Sequence, residues 1–185
     1  MRIIAGIYRG RRLIAPAGLE TRPTSDRVRE AVFSSLGPLI GATVLDLYAG
    51  TGALGIESLS RGAERVVFVE EARAALTALR TNLETLDLKA KTKVLAIPVA
   101  RAPGPAGKEG PYHLLFADPP YADLGEVPTV VEALIAAGGI VPGGRVVVEH
   151  ARKDPPPPIA GLALRSTRRY GTTAISYYVH GALPA

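Results

Sequence analysis

From Thr43 onward, short runs of consecutive apolar residues alternate with longer stretches whose apolar positions recur every three or four residues. TVLDL (43–47), RVVFVE (65–70), KVLAIPV (93–99), HLLFA (113–117) and RVVVEH (145–150) are runs of the first kind. A strand with apolar side chains on both faces needs cover on both sides, so these runs predict a mostly parallel sheet layered between helices. The stretches between them supply the helices: ALGIESLS (53–60), EARAALTALRTNLETL (71–86) and VPTVVEALIAAG (127–138). In the second of these, Leu76, Leu79, Leu83 and Leu86 fall on one helical face. Alternating strands and helices predict an α/β fold of the Rossmann-like, doubly wound class. Residues 101–111, RAPGPAGKEGP, carry too much Pro and Gly for a helix, so a loop is expected there.

The two ends read differently. RIIAG (2–6) and RRLIA (11–15) predict a small β-hairpin, and a helix capped by Thr24 or Ser25 runs to Leu36 with Val28, Val32 and Leu36 as its buried stripe. Residues 1–36 are thus expected to form an N-terminal hairpin-plus-helix unit, with residues 37–185 as the main domain. At the other end, DPPPP (154–158) is a stiff spacer, and LALRSTRRYGTTAISYYVH (162–180) predicts two strands around Gly171, an antiparallel hairpin appended to the parallel sheet.

Length and composition narrow the class. The 185 residues suffice for one real core, and 47% hydrophobic with 21% charged residues is ordinary for a water-soluble protein. No apolar run reaches the length of a membrane span, and MRIIAGIYRGRR lacks the apolar centre of a signal peptide, so a cytoplasmic protein is expected. With no cysteine, and with His113, His150 and His180 far apart, no metal site is expected. The net charge of +5 is unevenly spread. Residues 1–36 hold seven Arg against three acids and residues 145–185 six Lys and Arg against two, while the middle holds nine against twelve. Basic ends around an acidic centre suggest an anionic polymer gripped by the periphery.

The candidate chemistry sits at the ends of the predicted strands. Gly50, Gly52 and Gly55 stand in G-x-G-x-x-G spacing after the first strand, where glycines let backbone N–H groups approach a ligand. Glu70 ends the second strand, twenty residues after Gly50, in position to accept from ribose hydroxyls. Asp46 precedes the glycines. A carboxylate there would repel a dinucleotide pyrophosphate but suits a sulfonium and an α-amino group, which favours S-adenosylmethionine over NAD. The fourth strand ends in Asp118-Pro119-Pro120-Tyr121. Two prolines fix the loop and remove two donors, leaving carbonyl acceptors beside the Asp118 carboxylate. Such an array suits an exocyclic base amine: hydrogen bonds to Asp118 and the Pro119 carbonyl would free the nitrogen lone pair for attack on a methyl sulfonium, with Tyr121 stacked on the base.

RIIAG-x-x-RGR, RPTSDRVREAVF, LDLYAGTGALGIESLSRGA, DPPY and YGTTAISYY together resemble the RsmD-type 16S ribosomal RNA (guanine-N2)-methyltransferases of class I, over nearly the whole chain. The resemblance implies methyl transfer from S-adenosylmethionine to the N2 of one guanine of 16S ribosomal RNA, naked or within an assembling small subunit, by a monomer that binds no membrane. It implies Asp46, Tyr48, Ala49, Gly50, Gly52, Glu70 and Thr24 as cofactor residues, and Asp118, Pro119 and Tyr121 as catalytic ones. Many class I enzymes carry an acid or amide after the third strand for adenine, but this chain reads IPVARAP, leaving the backbone near Val99 and Ala100 for that task. Arg9, Arg11, Arg12, Arg22, Arg27, Arg168 and Arg169 are the expected RNA contacts. The motifs alone leave open a DNA or RNA adenine-N6 methyltransferase, which DPPY serves equally well, an NAD-dependent oxidoreductase, and a silent RNA-binding module.

Overall fold

A computed structural model of the chain describes residues 1–16 and 26–181. In chain order these form α1 (Asp26–Leu36), β1 (Thr43–Leu47), α2 (Ala53–Ser60), β2 (Arg65–Val69), α3 (Arg73–Thr85), β3 (Thr92–Leu95), α4 (Pro103–Gly107), β4 (Tyr112–Ala117), α5 (Glu126–Ala136), β5 (Ile140–Ala151), β6 (Leu162–Tyr170) and β7 (Thr173–His180). The strands make one seven-stranded sheet in the order β3-β2-β1-β4-β5-β7-β6. The first five run parallel, and β7 inserts antiparallel between β5 and β6. This is the doubly wound sheet with an antiparallel C-terminal hairpin that the sequence predicts.

Strand alternation divides the core into two layers. Val44, Phe68, Leu114 and Phe116 pack with Val32 and Phe33 of α1, Ile56 of α2 and Leu79 of α3. Leu45, Val67, Leu115 and Val148 face the other way, onto Val130, Val131 and Leu134 of α5. Each such buried Leu or Phe stabilises the fold by about 1.5–3 kcal/mol. Ile3 and Leu13 belong to the first layer, so the N-terminal segment is seated in the same core as the sheet. Among the described residues, no helix is long and apolar enough to cross a membrane.

Several local expectations change. The two N-terminal strands reduce to a single bridge between Arg2 and Arg12. The reason lies in the partners of their backbone donors: Ile4 and Ala5 N–H donate to the Glu57 carboxylate, Ile7 N–H to the Ser60 carbonyl and Tyr8 N–H to the Ser60 hydroxyl. The segment is stapled to α2 as well as to itself, where Ile3 N–H donates to the Arg11 carbonyl, Gly10 N–H to the Ile3 carbonyl and Leu13 N–H to the Met1 carbonyl. Gly6, at φ 84°, is required there, because a Cβ would stand 1.8 Å from the Ser60 carbonyl oxygen. The expected loop at 101–111 contains the one-turn α4: Pro103 opens it, where a missing N–H costs nothing, and Ala106 N–H closes the turn on the Ala102 carbonyl at 2.8 Å. The stripe of α1 also shifts. Arg29, Val32, Phe33 and Leu36 are buried, an i, i+3, i+4, i+7 face, and Val28 is only half-buried. The Thr24 or Ser25 cap lies outside the described residues.

Candidate active site

Register sets the site. Leu47 pairs with Val69 on one side and Ala117 on the other, so β1, β2 and β4 end in one row. The next residues are Tyr48, Glu70 and Asp118, and a cavity of about 590 Å³ opens above them. Carboxyl ends of parallel strands are where a doubly wound sheet binds ligands. Of the sequence-predicted residues, Asp46, Tyr48, Ala49, Gly50, Glu70, Val99, Asp118, Pro119 and Tyr121 line this cavity. Gly52 and Ala100 do not. Gly52 is turned into the core, where a Cβ would meet Leu79 Cδ1 at 2.4 Å, so at φ 82° its part is to let the loop pack on α3. Ala100 is exposed on the turn Val99–Arg101. Thr24 and Arg22 lie outside the described residues.

Asp46 is 1% exposed, and its Oδ2 accepts from Gly55 N–H at 2.9 Å. Burial pushes its carboxyl up to about 8; the Gly55 hydrogen bond opposes the rise and the nearby Glu70 charge adds to it. A buried carboxyl near neutrality responds strongly to a neighbouring cation. Glu70 fastens three backbone donors: Gly50 N–H to Oε2 at 2.7 Å, and Glu71 and Ala72 N–H to Oε1 at 2.9 and 2.8 Å. It therefore couples the glycine loop to the end of β2, and with about four lone-pair sites on a carboxylate it retains capacity for a further donor. Tyr48 holds a left-handed backbone, φ 57°, a conformation costing a non-glycine residue about 1–2 kcal/mol. Its hydroxyl donates to Glu126 at 3.4 Å, and burial, then the Glu126 and Asp123 charges, raise its pKa.

Asp118 is half-buried, Pro119 buried, and Tyr121 41% exposed at the start of the turn Tyr121–Asp123. The Asp118–Tyr121 loop thus presents a proline-fixed backbone with an open aromatic ring at its outer end.

Arg29 was not singled out by the sequence reading. It lines the same cavity at 2% exposure, donates from one terminal nitrogen to the Arg2 carbonyl at 2.6 Å and to Asp26 at 2.9 Å, and has a buried Nε with no hydrogen-bond partner among the described residues. Burial draws its pKa down, and the Asp26 and Glu57 charges oppose this. A charged residue on the i, i+3, i+4, i+7 face with Val32, Phe33 and Leu36 is the signal that would have found it.

The expected RNA contacts lie outside the cavity walls. Arg9, Arg11 and Arg12 are exposed on the stapled N-terminal segment, with Arg11 donating to the Thr85 carbonyl at 3.3 Å. Arg12 is bridged to Arg2, next to Met1, which lines the cavity. Arg27 is exposed on α1, and Arg168 and Arg169 on β6, where the Arg168 guanidinium lies 5.9 Å from the centre of the Tyr177 ring.

The profile of the family described as conserved hypothetical protein 95 matches residues 1–179. The chain belongs to this family. Relatives agree with the RsmD-type resemblance read from the motifs. YlbH of Bacillus subtilis is 36% identical over 181 residues, 96% of this chain and 98% of its own. The ribosomal RNA small subunit methyltransferase D of Haemophilus influenzae is 33% identical over 161 residues, 84% of this chain and 81% of its own. The solved structure of Escherichia coli yhhF superposes with a TM-score of 0.83 at 34% identity and covers 99% of both chains.

Proposed function

We propose that this family member transfers the methyl group of S-adenosylmethionine to the exocyclic N2 of a guanine in 16S ribosomal RNA, acting in the cytoplasm as a monomer. The observation that carries this reading is one cavity wall that joins Asp118, Pro119 and Tyr121 to Asp46, Glu70 and Arg29. The relative from Haemophilus influenzae, named for small-subunit ribosomal RNA methylation, supports the choice of substrate. The cofactor's ends fit the residues present. Asp46 would face the cationic sulfonium and amino groups, the buried Nε of Arg29 would meet the carboxylate, and Glu70 with the Gly50 loop would hold the ribose.

The bound cofactor supplies an electrophilic methyl on a sulfonium. Asp118 and the Pro119 carbonyl would accept hydrogen bonds from the two N–H groups of the guanine amine, drawing its lone pair out of the ring system; as the N–CH3 bond forms the S–CH3 bond breaks to leave a neutral thioether, and Asp118 would offset the positive charge on nitrogen and take up its proton. Tyr121 holds the unstacked base face. Most of the catalysis is positioning, which fixed strand ends deliver. Residues 1–36 serve as the RNA-facing edge.

The test is incubation with methyl-labelled S-adenosylmethionine and, separately, unmodified ribosomal RNA, immature small-subunit particles and DNA, followed by identification of the labelled nucleoside. N2-methylguanine in the ribosomal RNA is expected, and comparing RNA with particles identifies the substrate form. N6-methyladenine would replace this reading with the adenine alternative; no transfer to any of them would overturn it.

A further inference from the structure

Beside the candidate active site lies a second, more open groove of about 650 Å³, lined by Tyr121, Ala151, Arg152, Lys153, Gly171 and Thr172. It exists because β5 outruns β4. Val148 pairs with Ala117 at the end of β4, and β5 continues three residues further to Ala151, carrying the β6–β7 turn with it. The groove is built before anything binds: Arg152 N–H donates to the Thr172 carbonyl at 2.8 Å and the Arg152 guanidinium to the Gly171 carbonyl at 3.3 Å, fastening its two walls together. Its volume lies within the range of about 300–1,000 Å³ typical of ligand sites.

We infer that this groove receives a nucleotide neighbouring the target base in single-stranded RNA, with Arg152 and Lys153 on its phosphates. The inference rests on the reading of the adjoining cavity as a base-methylating site. Three observations support it. Tyr121 lines both cavities, so a strand whose target base enters one must place its next nucleotide at the mouth of the other. Arg152 and Lys153 are both exposed, and Asp154, the nearest acid in sequence, is not part of the wall. A guanidinium held at one nitrogen keeps its remaining donors for a phosphate. Apart from Tyr121 and the two cations, the wall is Ala151, Gly171 and Thr172, small residues against which any base fits, so the groove orients the strand without selecting sequence.

The test pairs R152Q/K153Q with T172W, which fills the groove without removing charge; melting temperatures near wild type verify folding. Binding of a short single-stranded oligoribonucleotide is followed by fluorescence anisotropy across salt concentrations, alongside S-adenosylmethionine affinity and methylation kinetics. The double variant should lower the salt slope of log K by about 1.4, two single-strand phosphates, and raise KM for RNA about five- to ten-fold with little change in kcat. T172W should weaken RNA binding with the slope retained. Cofactor affinity should be unchanged in both. An RNA affinity and slope equal to wild type in both variants would overturn the proposal. Because the anisotropy arm needs no turnover, it decides the groove even if the wild type methylates nothing, the outcome that would sink the methyltransferase reading itself.

Discussion

Asp46, at the floor of the cavity, is 1% exposed and bound to the Gly55 amide at 2.9 Å, whereas Arg9, on the outer rim of the molecule, is exposed on a segment seated on α2 by backbone hydrogen bonds and by its buried Ile3 and Leu13. The floor is set by position: row-aligned strand ends place Tyr48, Glu70 and Asp118 side by side, and burial raises the pKa values of Tyr48 and Asp46. The rim offers charge in solvent, where screening makes each cation worth little individually and their number matters. Substitutions at the floor should therefore produce large, residue-specific losses, and those at the rim small, additive and salt-dependent ones.

The largest expected effect is at Asp118. Asp118→Ala should lower kcat at least about 100-fold, the usual scale for removing one preorganised partner of the transition state, while leaving cofactor affinity near wild type. Single-turnover kinetics and calorimetry separate the two. Near-normal turnover would place Asp118 with the rim, as a turn residue whose charge is incidental.

Glu70 comes next. Glu70→Ala should weaken S-adenosylmethionine by about 1.5–3 kcal/mol, the range for losing hydrogen bonds to a charged group. Part of that loss would be indirect, since Glu70 also holds the Gly50, Glu71 and Ala72 amides. An unchanged calorimetric affinity would reduce Glu70 to a backbone staple.

Asp46 gives a pH signature that no rim residue shares. Its folded pKa, pushed up to about 8, lies above the ordinary carboxyl value, so the native state favours its protonated form. That contribution to stability is complete below the unfolded pKa, near 4, and is lost as pH rises toward 8. Cofactor binding has the opposite sign, because a sulfonium and an ammonium favour the carboxylate and binding expels the proton. Affinity should rise by up to about ten-fold per pH unit below 8 and level off above it. Asp46→Asn should flatten this profile; an Asn variant with the wild-type profile would assign the titration to another group.

How far the sequence revealed these regions follows the same division. The parallel strands and their terminal residues were legible because continuous apolar runs have one common solution, and strand ends in that solution are where Asp46, Glu70 and Asp118 had to fall. Arg29 was missed because a charged side chain was excluded from the apolar stripe, although it completes the buried face with Val32, Phe33 and Leu36. The staple on the N-terminus was missed because RIIAG and RRLIA have strand-like composition, and nothing local announces that Glu57 and Ser60, more than fifty residues away, would take the amides of Ile4, Ala5, Ile7 and Tyr8. Gly52 stands apart: its spacing suggests a ligand contact, and packing against Leu79 is a second reason for the absent side chain that the spacing does not reveal.

The smallest expected effect sharpens the contrast from the rim side. Arg9, Arg11 and Arg12 are exposed, and among the described residues only Arg11 has a side-chain bond that a substitution would break, to the Thr85 carbonyl. Replacing all three with Gln should therefore leave the fold and the cofactor affinity unaltered. If these arginines lie on phosphates, the salt slope of log K for ribosomal RNA should flatten by up to about 2 units, because each single-strand phosphate contact contributes about 0.7. The size of the change counts contacts, and its indifference to RNA sequence distinguishes them from base readout. A slope unchanged in the triple variant would leave the N-terminal arginines as a solvated edge and move the phosphate track to Arg168 and Arg169 on β6, so that the rim would act through one end of the chain only.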